Sequence, residues 1–391
     1  MKKWLKFCLG GVIIIGLLIF YLYANKSVDN SLVKKTQYKN LEIAESKKAE
    51  VTIISVGDIF LHTNNLFSAL NSTTKTHSFD SVFLSVADYF ENADLSTAWL
   101  GGVMDSNGPY MGYPMFRSPE ALIDTLQGIG LDAVFKTNHA MDGGTKGLNT
   151  TTEILDKHDI SQIAAYTSEE SNKKLFIYQK DDLKIAYLGY IYGMNGLPIP
   201  EPWMINLIDL NKIQKDILEA KKQSDFVVAA LHFGNEYERY PNKWQKETVQ
   251  KIADYGADMI IGSHPHVIQP VEVVTSADGK KVYVAYSLGN FYCGQREHYT
   301  DTGVMLKYTI EKSKEGTKLK EIGYIPTWVA EYRENGKQQY QILPSKKFMD
   351  LYTQGRATFL SASNYSRLEQ TYRETVEHLN NPDIGFIEAE N

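Results

Sequence analysis

The sequence predicts an α/β protein built on a mixed or largely parallel sheet. Short runs rich in β-branched residues are typical of buried strands, and segments with helical spacing separate most of these runs. Five of the runs also end directly before a polar residue of a type that binds metals or transfers protons. The runs are Val51–Val56, Leu131–Phe135, Phe226–Leu231, Met259–Ile261 and Val282–Leu288.

Five segments between these runs have apolar residues at helical spacing. In Ser81–Glu91 the apolar residues fall on one face, which predicts a helix that packs on a sheet. Pro119 is typical of the first turn of a second helix, and Gly128 is typical of its end. The other three predicted helices are Lys146–His158, Asn211–Lys222 and Lys243–Tyr255.

Beyond Gly303 the pattern changes to consecutive strands, which would complete a second sheet. The pair Asn335-Gly336 is typical of the tight turn of a hairpin. A polar helix is expected over Arg367–Leu379. The strands predicted in this part of the chain are Val304–Ile310, Ile322–Val329, Trp328–Tyr332 and Gln339–Leu343.

The N-terminus predicts a membrane anchor followed by a linker. Residues 1–6 carry three lysines and precede residues 7–24, an uncharged stretch of 18 residues that is at the short end for a membrane span. Lysines in this position favour a cytoplasmic N-terminus and place the rest of the chain outside the cell. A cleaved signal peptide is the alternative, although Tyr21-Leu22-Tyr23 stands where small residues would precede a cleavage site. Residues 25–50 are rich in Lys, Ser and Asn and predict the linker.

Chain length, net charge and cysteine content limit the domain number, the partners and the disulfides that can be expected. We expect one domain over residues 51–345 and a C-terminal helical extension over residues 346–391. A net charge of −6 gives no polybasic surface, so no nucleic-acid partner is expected. The two cysteines, Cys8 and Cys293, do not form a disulfide framework.

Polar residues at the ends of the five strands predict one shared site. Ligands of α/β sheets bind outside the carboxyl ends of the strands, so these side chains are expected to converge. Asp and His together bind divalent metals, which indicates a hydrolytic metal site. Taken singly, Asp58 could belong to a turn, Asn138 could cap a helix, and His232 could be a core histidine.

The segment from Gly262 to His266 carries the most specific signal. His264 and His266 flank Pro265 directly after a buried strand. Two histidines in this arrangement are better explained as a pair of metal ligands than as structural residues. In two-metal hydrolases, a histidine outside the ligand set can protonate the leaving oxygen. His139 is the candidate for this acid, because its neighbour Asn138 would coordinate through its carbonyl oxygen.

The motifs together resemble the CapA family of capsule and poly-γ-glutamate synthesis proteins, over about residues 51–345. The resemblance implies the calcineurin-like metallophosphoesterase fold, a four-layer αββα sandwich, and a role in handling a cell-envelope polymer. The matching segments are Val56-Gly57-Asp58, Ala93-Asp94-Leu95, Gly112 to Pro119, Asn138-His139 with Asp142 and Gly144, His232-Phe233-Gly234 with Glu236-Tyr237, Gly262 to Val267, Ser287 to Phe291, and Tyr324 to Thr327.

Carried over by position, the resemblance assigns roles to individual residues. His139 would be the catalytic acid, and Glu236, Asn290 and Asp142 would contact substrate or support the ligands. The bound cofactor would be a divalent metal, with Mn, Fe and Zn all accepted by Asp/Asn/His sites. The implied metal ligands are Asp58, Asn138, His232, His264 and His266.

The sequence departs from the family at the acid that would bridge two metals. The family has Asn-Leu-Glu where this chain has Trp99-Leu100-Gly101, and Thr137 replaces an Asn. Two divalent ions about 4 Å apart repel by about 16 kcal/mol at an effective dielectric of ~20, and bridging anions offset that repulsion. We therefore expect at most one tightly held ion. Asp94, Asp105 and Glu236 are the alternative carboxylates, and Trp99 is large enough to fill the vacated space.

Two functional interpretations follow from the sequence. The first is an anchored extracellular CapA-like factor that binds, exports or tethers an anionic envelope polymer, together with other capsule-synthesis membrane proteins. The second is an active metal-dependent hydrolase of a phosphoester or an amide in such a polymer, with His139 as acid. In both interpretations the protein is a single-pass membrane protein whose C-terminal domain is extracellular.

Overall fold

The computed structural model of the protein describes residues 49–389, which form a mixed α/β fold with several sheets. The α/β prediction is therefore confirmed. Within the described residues, no helix is both long enough and apolar enough to span a membrane. The predicted anchor over residues 7–24 and the linker over residues 25–50 lie outside this part of the chain, apart from the last two linker residues.

The first large sheet has nine strands and is centred on β1 (Ala49–Ile59). Its seven-strand path runs β16-β15-β14-β1-β2-β5-β6, while β13 pairs with β1 and β17 pairs with β15. The β1-β2-β5-β6 half is parallel, and the β1-β14-β15-β16 half is antiparallel. The other strands are β2 (Leu95–Leu100), β5 (Ala133–Lys136), β6 (Ser161–Ile163), β13 (Asn290–Tyr292), β14 (Thr302–Ser313), β15 (Gly316–Glu334), β16 (Lys337–Pro344) and β17 (Ile387–Glu388).

The second large sheet has six strands in the order β11-β12-β10-β9-β8-β7. Its four central strands are parallel, and both edge strands are antiparallel to their neighbours. A separate two-stranded sheet joins β3 (Val103–Asp105) and β4 (Arg117–Pro119). The strands of the six-stranded sheet are β7 (Phe176–Lys180), β8 (Leu183–Ile191), β9 (Phe226–His232), β10 (Met259–Ser263), β11 (Ile268–Thr275) and β12 (Lys281–Leu288).

The α-helices of the described region lie between the strands and at the C-terminal end. Several begin with a side-chain cap, as in the helix that starts at Lys243, where the Asn242 side chain accepts from the Gln245 backbone N–H. The helices are α1 (Thr63–Ala69), α2 (Asp80–Phe83), α3 (Ala87–Glu91), α4 (Ala121–Gly128), α5 (Gly144–Lys157), α6 (Glu169–Lys173), α7 (Leu210–Ala220), α8 (Lys243–Asp254), α9 (Ser345–Thr353) and α10 (Ala362–Leu379).

The two large sheets pack face to face, with helices on their outer faces. Side chains from both sheets share one apolar core, and within it the hydroxyls of Tyr187 and Tyr308 lie 3.0 Å apart. The outer face of the nine-stranded sheet packs on Leu122 and other residues of α4. The outer face of the six-stranded sheet packs on α7 and α8, for example through Ile252. This arrangement brings the carboxyl ends of the parallel strands of both sheets together at one edge.

Several predicted elements differ in extent from those observed. The single helix predicted over Ser81–Glu91 is two short helices, because hydrogen bonds between residues three apart tighten the chain around Val86. The apolar face was predicted correctly, since its side chains all pack in one core. The strands predicted over Ile322–Val329 and Trp328–Tyr332 are parts of one long strand, β15. Asn335 and Gly336 both have positive φ, as the predicted tight turn requires.

The C-terminal segment packs on the nine-stranded sheet. Trp328 and Leu343 of the sheet share an apolar cluster with Leu368 of α10. The Trp328 indole N–H donates to the carboxylate of Asp301 (2.9 Å), and the Arg367 guanidinium donates to the same carboxylate (2.6 and 3.0 Å). This buried carboxylate therefore ties α10 to β15.

Candidate metal centre

A small cavity of about 50 Å³, partly open to solvent, lies where strands of the two sheets end. Asp58 reaches it from β1, His232 from β9, and His139 from the segment after β5. Loops after these strands complete the wall. The lining residues are Asp58, Phe60, His62, Gly101, Tyr113, Phe116, Thr137, Asn138, His139, His232, Glu236, Tyr237, His266 and Gln295.

The Asp58 carboxylate is the centre of the polar cluster. One oxygen lies 3.3 Å from Nε2 of His232, and the other lies 3.3 Å from Nδ1 of His266. The Ser263 hydroxyl donates to the second oxygen at 2.8 Å. Asp58 is held in place because its backbone N–H donates to the carbonyl of Gly289 (3.1 Å), where β1 meets β13. The carboxylate is fully surrounded by protein and approached by two imidazoles.

The electrostatics of the cluster follow from burial and mutual contact. Burial alone would raise the pKa of Asp58, but hydrogen bonds and charge from His232 and His266 hold it well below its usual value. Burial lowers the pKa of His232, and burial together with neighbouring histidines lowers the pKa of His264 further. His266 is the exception, because its contact with Asp58 outweighs burial and raises its pKa. Asp58 is thus ionised, and His264 presents a neutral imidazole, the form that binds metals.

His264 and His266 are held by an unusual backbone. Both have positive φ, at 111° and 58°, a conformation that costs side-chain-bearing residues of order 1–3 kcal/mol and clusters at functional sites. Nδ1 of His266 faces two oxygen acceptors, Asp58 and Asn290 (3.1 Å), so in the neutral ring the proton is on Nδ1 and Nε2 carries the lone pair. His264, His266 and Glu236 each offer a ligand atom within 4.8 Å of the others.

Asn138 enters the cavity with its amide N–H₂ already engaged. The Nδ2 group donates to the Tyr192 hydroxyl at 3.2 Å and to Oδ1 of Asn195 at 2.9 Å. The Tyr192 ring in turn packs on His264, with 4.4 Å between the ring centroids. The carbonyl Oδ1 is therefore the group of Asn138 that is left for a ligand, as the resemblance implied.

His139 forms a separate pair with Asp142. Its Nδ1 lies 2.8 Å from Oδ2 of Asp142, and that carboxylate also accepts from the Phe116 backbone N–H at 2.7 Å. Nε2 lies 3.4 Å from the amide nitrogen of Asn195. Because Asp142 fixes the ring through Nδ1, Nε2 is the nitrogen that can exchange a proton with a ligand. This is the arrangement expected of an oriented acid–base histidine.

The donor set fits a divalent cation. Two ligand atoms of a tetrahedral site with bonds of about 2.1 Å lie about 3.4 Å apart, and the oxygen–nitrogen distance between Asp58 and His232 is 3.3 Å. Nitrogen and carboxylate oxygen donors of this kind bind Zn, Mn and Fe. The Nδ1 atoms of His232 and His264 are buried without a hydrogen-bond partner, which is costly for polar groups in a protein interior. The cluster is therefore better explained as a ligand set than as a structural network.

Gly101, the position where the resemblance implies a bridging Glu, lies in the cavity wall. Gly101 lines the cavity, and a Cβ atom built on it would meet Cβ of Phe60 at 3.0 Å. Trp99 is not among the lining residues of the cavity. It is buried between the two sheets, edge-on to Phe135 at 4.5 Å, and its ring centroid lies 6.5 Å from that of His232. Besides Asp58, Glu236 is the carboxylate among the described lining residues, and its oxygen lies within 4.8 Å of ligand atoms of His264 and His266.

Several residues of the site were not predicted from the sequence. Tyr192 and Asn195 follow β8, a strand that was not predicted, so a sixth strand end was overlooked. His62 and Gln295 also line the cavity. His62 follows Asp58 by four residues in the same strand-end segment, and that proximity was the available signal. Burial lowers the pKa of His62 to about 4, with a smaller contribution from His266.

The fold and the cavity together define a mixed α/β protein with a candidate metal centre of carboxylate and imidazole donors at the strand ends. The sequence model of the bacterial capsule synthesis protein family PGA_cap matches residues 52–295. The chain belongs to this family of bacterial capsule synthesis proteins. The match includes every residue of the cavity described above.

Two relatives of the chain are named as CapA proteins. The chain is 34% identical over 182 residues to the PGA biosynthesis protein CapA of Bacillus subtilis (strain 168), covering 46% of this chain and 47% of that protein. It is 23% identical over 292 residues to the capsule biosynthesis protein CapA of Bacillus anthracis, covering 72% of this chain and 68% of that protein. The first match thus spans about half the length of the relative.

Among solved structures, the chain is similar to the NAD nucleotidase NadN of Haemophilus influenzae. The TM-score is 0.48 at 12% identity, covering 88% of this chain and 65% of that chain. A 5'-nucleotidase precursor from Thermus thermophilus gives a TM-score of 0.46 at 14% identity, covering 84% of this chain and 59% of that chain. Likeness at this level is too distant to support a statement about activity.

Proposed function

We propose that this protein acts in the synthesis, export or anchoring of an anionic envelope polymer of the poly-γ-glutamate type, and that its cavity holds one divalent cation. Membership of the capsule synthesis family supports the polymer. The convergence of Asp58, His232 and His266 on one point supports the cation. Anchoring by residues 7–24, with the folded domain outside the membrane, is part of the proposal and rests on the sequence alone.

A single cation follows from the charge of the site. Asp58 is the one carboxylate at the centre of the cluster, and Glu236 approaches from the exposed side. Two divalent ions at bridging distance repel by about 16 kcal/mol at an effective dielectric of ~20, and Gly101 supplies no anion between them. The ion held by these residues would act as a Lewis acid that polarises a bound oxygen. Asn138 would hold it through its carbonyl, and Glu236 from the exposed side.

The second candidate function is hydrolysis of a phosphoester or an amide in the same polymer. The observation that favours it is the His139–Asp142 pair, which fixes an imidazole with one nitrogen directed to the cavity and 15% of the side chain exposed. As acid, His139 would deliver a proton from Nε2 to the leaving oxygen or nitrogen of the substrate.

Complementation of a deletion strain tests both candidates. We expect wild-type protein to restore surface polymer and the double variant His232→Ala/His264→Ala to restore less than about a tenth of it, because it loses two imidazole ligands. His77→Ala, a partly exposed histidine outside the cavity, is the matched control and should restore polymer fully. Surface polymer is measured per cell, with the amount of each variant checked by immunoblot.

The outcomes separate the candidates. Full restoration by the double variant would contradict a role for the cavity, and unchanged polymer in the deletion strain would contradict the envelope role. His139→Gln distinguishes binding from hydrolysis. A binding factor keeps its function without the acid, whereas an enzyme loses a factor of about 10²–10⁴ in rate when a general acid is removed.

A further inference from the structure

We propose that His62 is a ligand-binding residue of the cavity, and that its Nε2–H donates a hydrogen bond to an anionic oxygen of the bound polymer or phosphoester. This inference rests on the proposed function, because it places a second contact beside the cation. Its basis is the position of the imidazole ring in the cavity wall and the tautomer that its surroundings impose.

The His62 ring is fixed between two aromatic side chains of the wall. Its centroid lies 5.1 Å from that of Phe60 and 5.3 Å from that of Phe116, which it meets nearly edge-on at 78°. Phe60 also packs on His266 at 4.9 Å. His62 therefore stands beside the metal cluster, separated from it by one phenyl ring, and faces the same cavity.

The backbone of Gly294 selects the tautomer of His62. The Gly294 N–H donates to Nδ1 of the ring at 3.1 Å, so Nδ1 carries a lone pair and the proton of the neutral ring is on Nε2. A Cβ atom at position 294 would lie 2.6 Å from Cβ of His62 and 2.6 Å from Oδ1 of Asn65. That same Asn65 oxygen accepts from the His62 backbone N–H at 2.9 Å. The close approach of the two segments therefore requires glycine at position 294. Because the Gly294 N–H donates to Nδ1, the donor of the neutral His62 ring is Nε2–H.

His62 is distinct from the metal ligands. The Phe60 ring lies between His62 and the proposed ligands, since it packs on both His62 (5.1 Å) and His266 (4.9 Å). No hydrogen bond from Nε2 occurs within residues 49–389, whereas the other ring nitrogen is engaged. The free donor is therefore available to a molecule that enters the cavity.

The composition of the wall explains why a neutral donor is needed. The described lining residues contain two carboxylates, Asp58 and Glu236, and neither Lys nor Arg. An anionic ligand would therefore find no cationic side chain among the described lining residues, and its contacts beside the cation would come from neutral donors. In its neutral form His139 presents Nε2 as an acceptor, because the proton is on Nδ1, which donates to Asp142. His62 provides the complementary donor, so the two histidines recognise different atoms of the ligand.

The test measures ligand affinity and metal content in the full-length protein loaded with Zn²⁺. Two probes distinguish the source of the anionic oxygen: inorganic phosphate represents a phosphoester and glutarate represents a polymer carboxylate. We expect His62→Phe, which keeps an aromatic ring, to weaken binding of one probe about tenfold, a loss of about 1.4 kcal/mol. His62→Gln, which retains an N–H donor, should stay within about threefold of wild type. The zinc content of both variants should be unchanged.

His77→Phe is the matched control, because it makes the same change at a histidine that packs on Tyr110 outside the cavity. Its affinity should equal that of wild type. Unaltered binding of both probes by His62→Phe would overturn the assignment. The assignment would also be overturned if zinc-loaded wild type bound neither probe. It would be overturned as well if His62→Phe lost as large a fraction of its zinc as of its ligand binding.

Nitrogen NMR of the imidazole rings tests the inference in the wild-type protein, so the result does not depend on whether a variant folds. In the wild-type protein, His62 should show a protonated Nε2 and an unprotonated Nδ1, and the Nε2–H signal should shift on addition of the probe that binds. Protonation at Nδ1, or no shift at saturation, would contradict the inference. Absence of zinc from the wild-type protein would contradict the proposed function instead. The NMR tautomer of His62 would still show whether Nε2 is the hydrogen-bond donor.

Discussion

Replacing Gly57 with alanine is expected to destabilise the protein by about 3 kcal/mol or more, at the upper end for overpacked cores. A Cβ atom at this position would lie 1.9 Å from the carbonyl oxygen of Gly289. That oxygen accepts from the Asp58 backbone N–H, so the contact cannot relax without separating β1 from β13. The same separation would move the Asp58 carboxylate away from the imidazoles. Chemical denaturation measures the first effect, and metal content measures the second.

Gly128→Ala is the matched control for this substitution. Gly128 is the last residue of α4, and a Cβ atom there would have no neighbour within 4 Å. Alanine at such a position changes the free energy of unfolding by about 1 kcal/mol or less, chiefly through the unfolded chain. Equal stability of the two variants would show that β1 and β13 do not approach as closely as described.

Asp301→Ala is expected to cost about 2–3 kcal/mol, because it removes the buried charged acceptor of two side-chain donors. The Asp301 side chain is 8% exposed, and its carboxylate accepts from Trp328 and Arg367. Alanine would leave a buried indole N–H and a half-buried guanidinium without their acceptor. The C-terminal helix α10 should then separate from β15 first, and protease cleavage near Arg367 should precede global unfolding.

An exposed pair on α9 provides the comparison. Asp350 accepts from Lys346, but both side chains are about half exposed (54% and 50%). Such surface pairs contribute about 0–1 kcal/mol, so Asp350→Ala should be close to neutral. The free energy of unfolding of each variant is measured by urea titration under identical conditions. A cost for Asp301→Ala as small as that for Asp350→Ala would refute the buried-carboxylate account.

The convergence of the site could be predicted because it follows from sheet topology. Short apolar runs identified β1, β5, β9 and β10, and parallel strands bring their carboxyl ends to one edge. The polar residue after each run was therefore a good candidate without knowledge of the fold. The structure places Asp58, Asn138, His139, His232 and His266 around one cavity. The His264 ring packs behind this wall, 4.9 Å from His232 and 5.9 Å from His266 between centroids. Their roles as ligands or acid remain predictions.

The remaining features could not be predicted from local patterns. The strand β8 places Tyr192 and Asn195 behind Asn138 and His139, but this strand gave no signal that marked its end as part of the site. The tautomer of His62 depends on Gly294, which is 232 residues away in sequence. The position of Trp99 depends on the depth of β2 between the sheets. Each of these depends on long-range packing rather than on spacing along the chain.

The measurement that tests the central claim most directly is the number of metal ions per chain in purified full-length protein, by elemental mass spectrometry. We predict one equivalent of Zn, Mn or Fe in wild type and a higher value in Gly101→Glu, whose carboxylate could bridge a second ion once Phe60 shifts by a few tenths of an ångström. Asp58→Asn should hold less than wild type. Two equivalents in wild type, or none, would contradict the account.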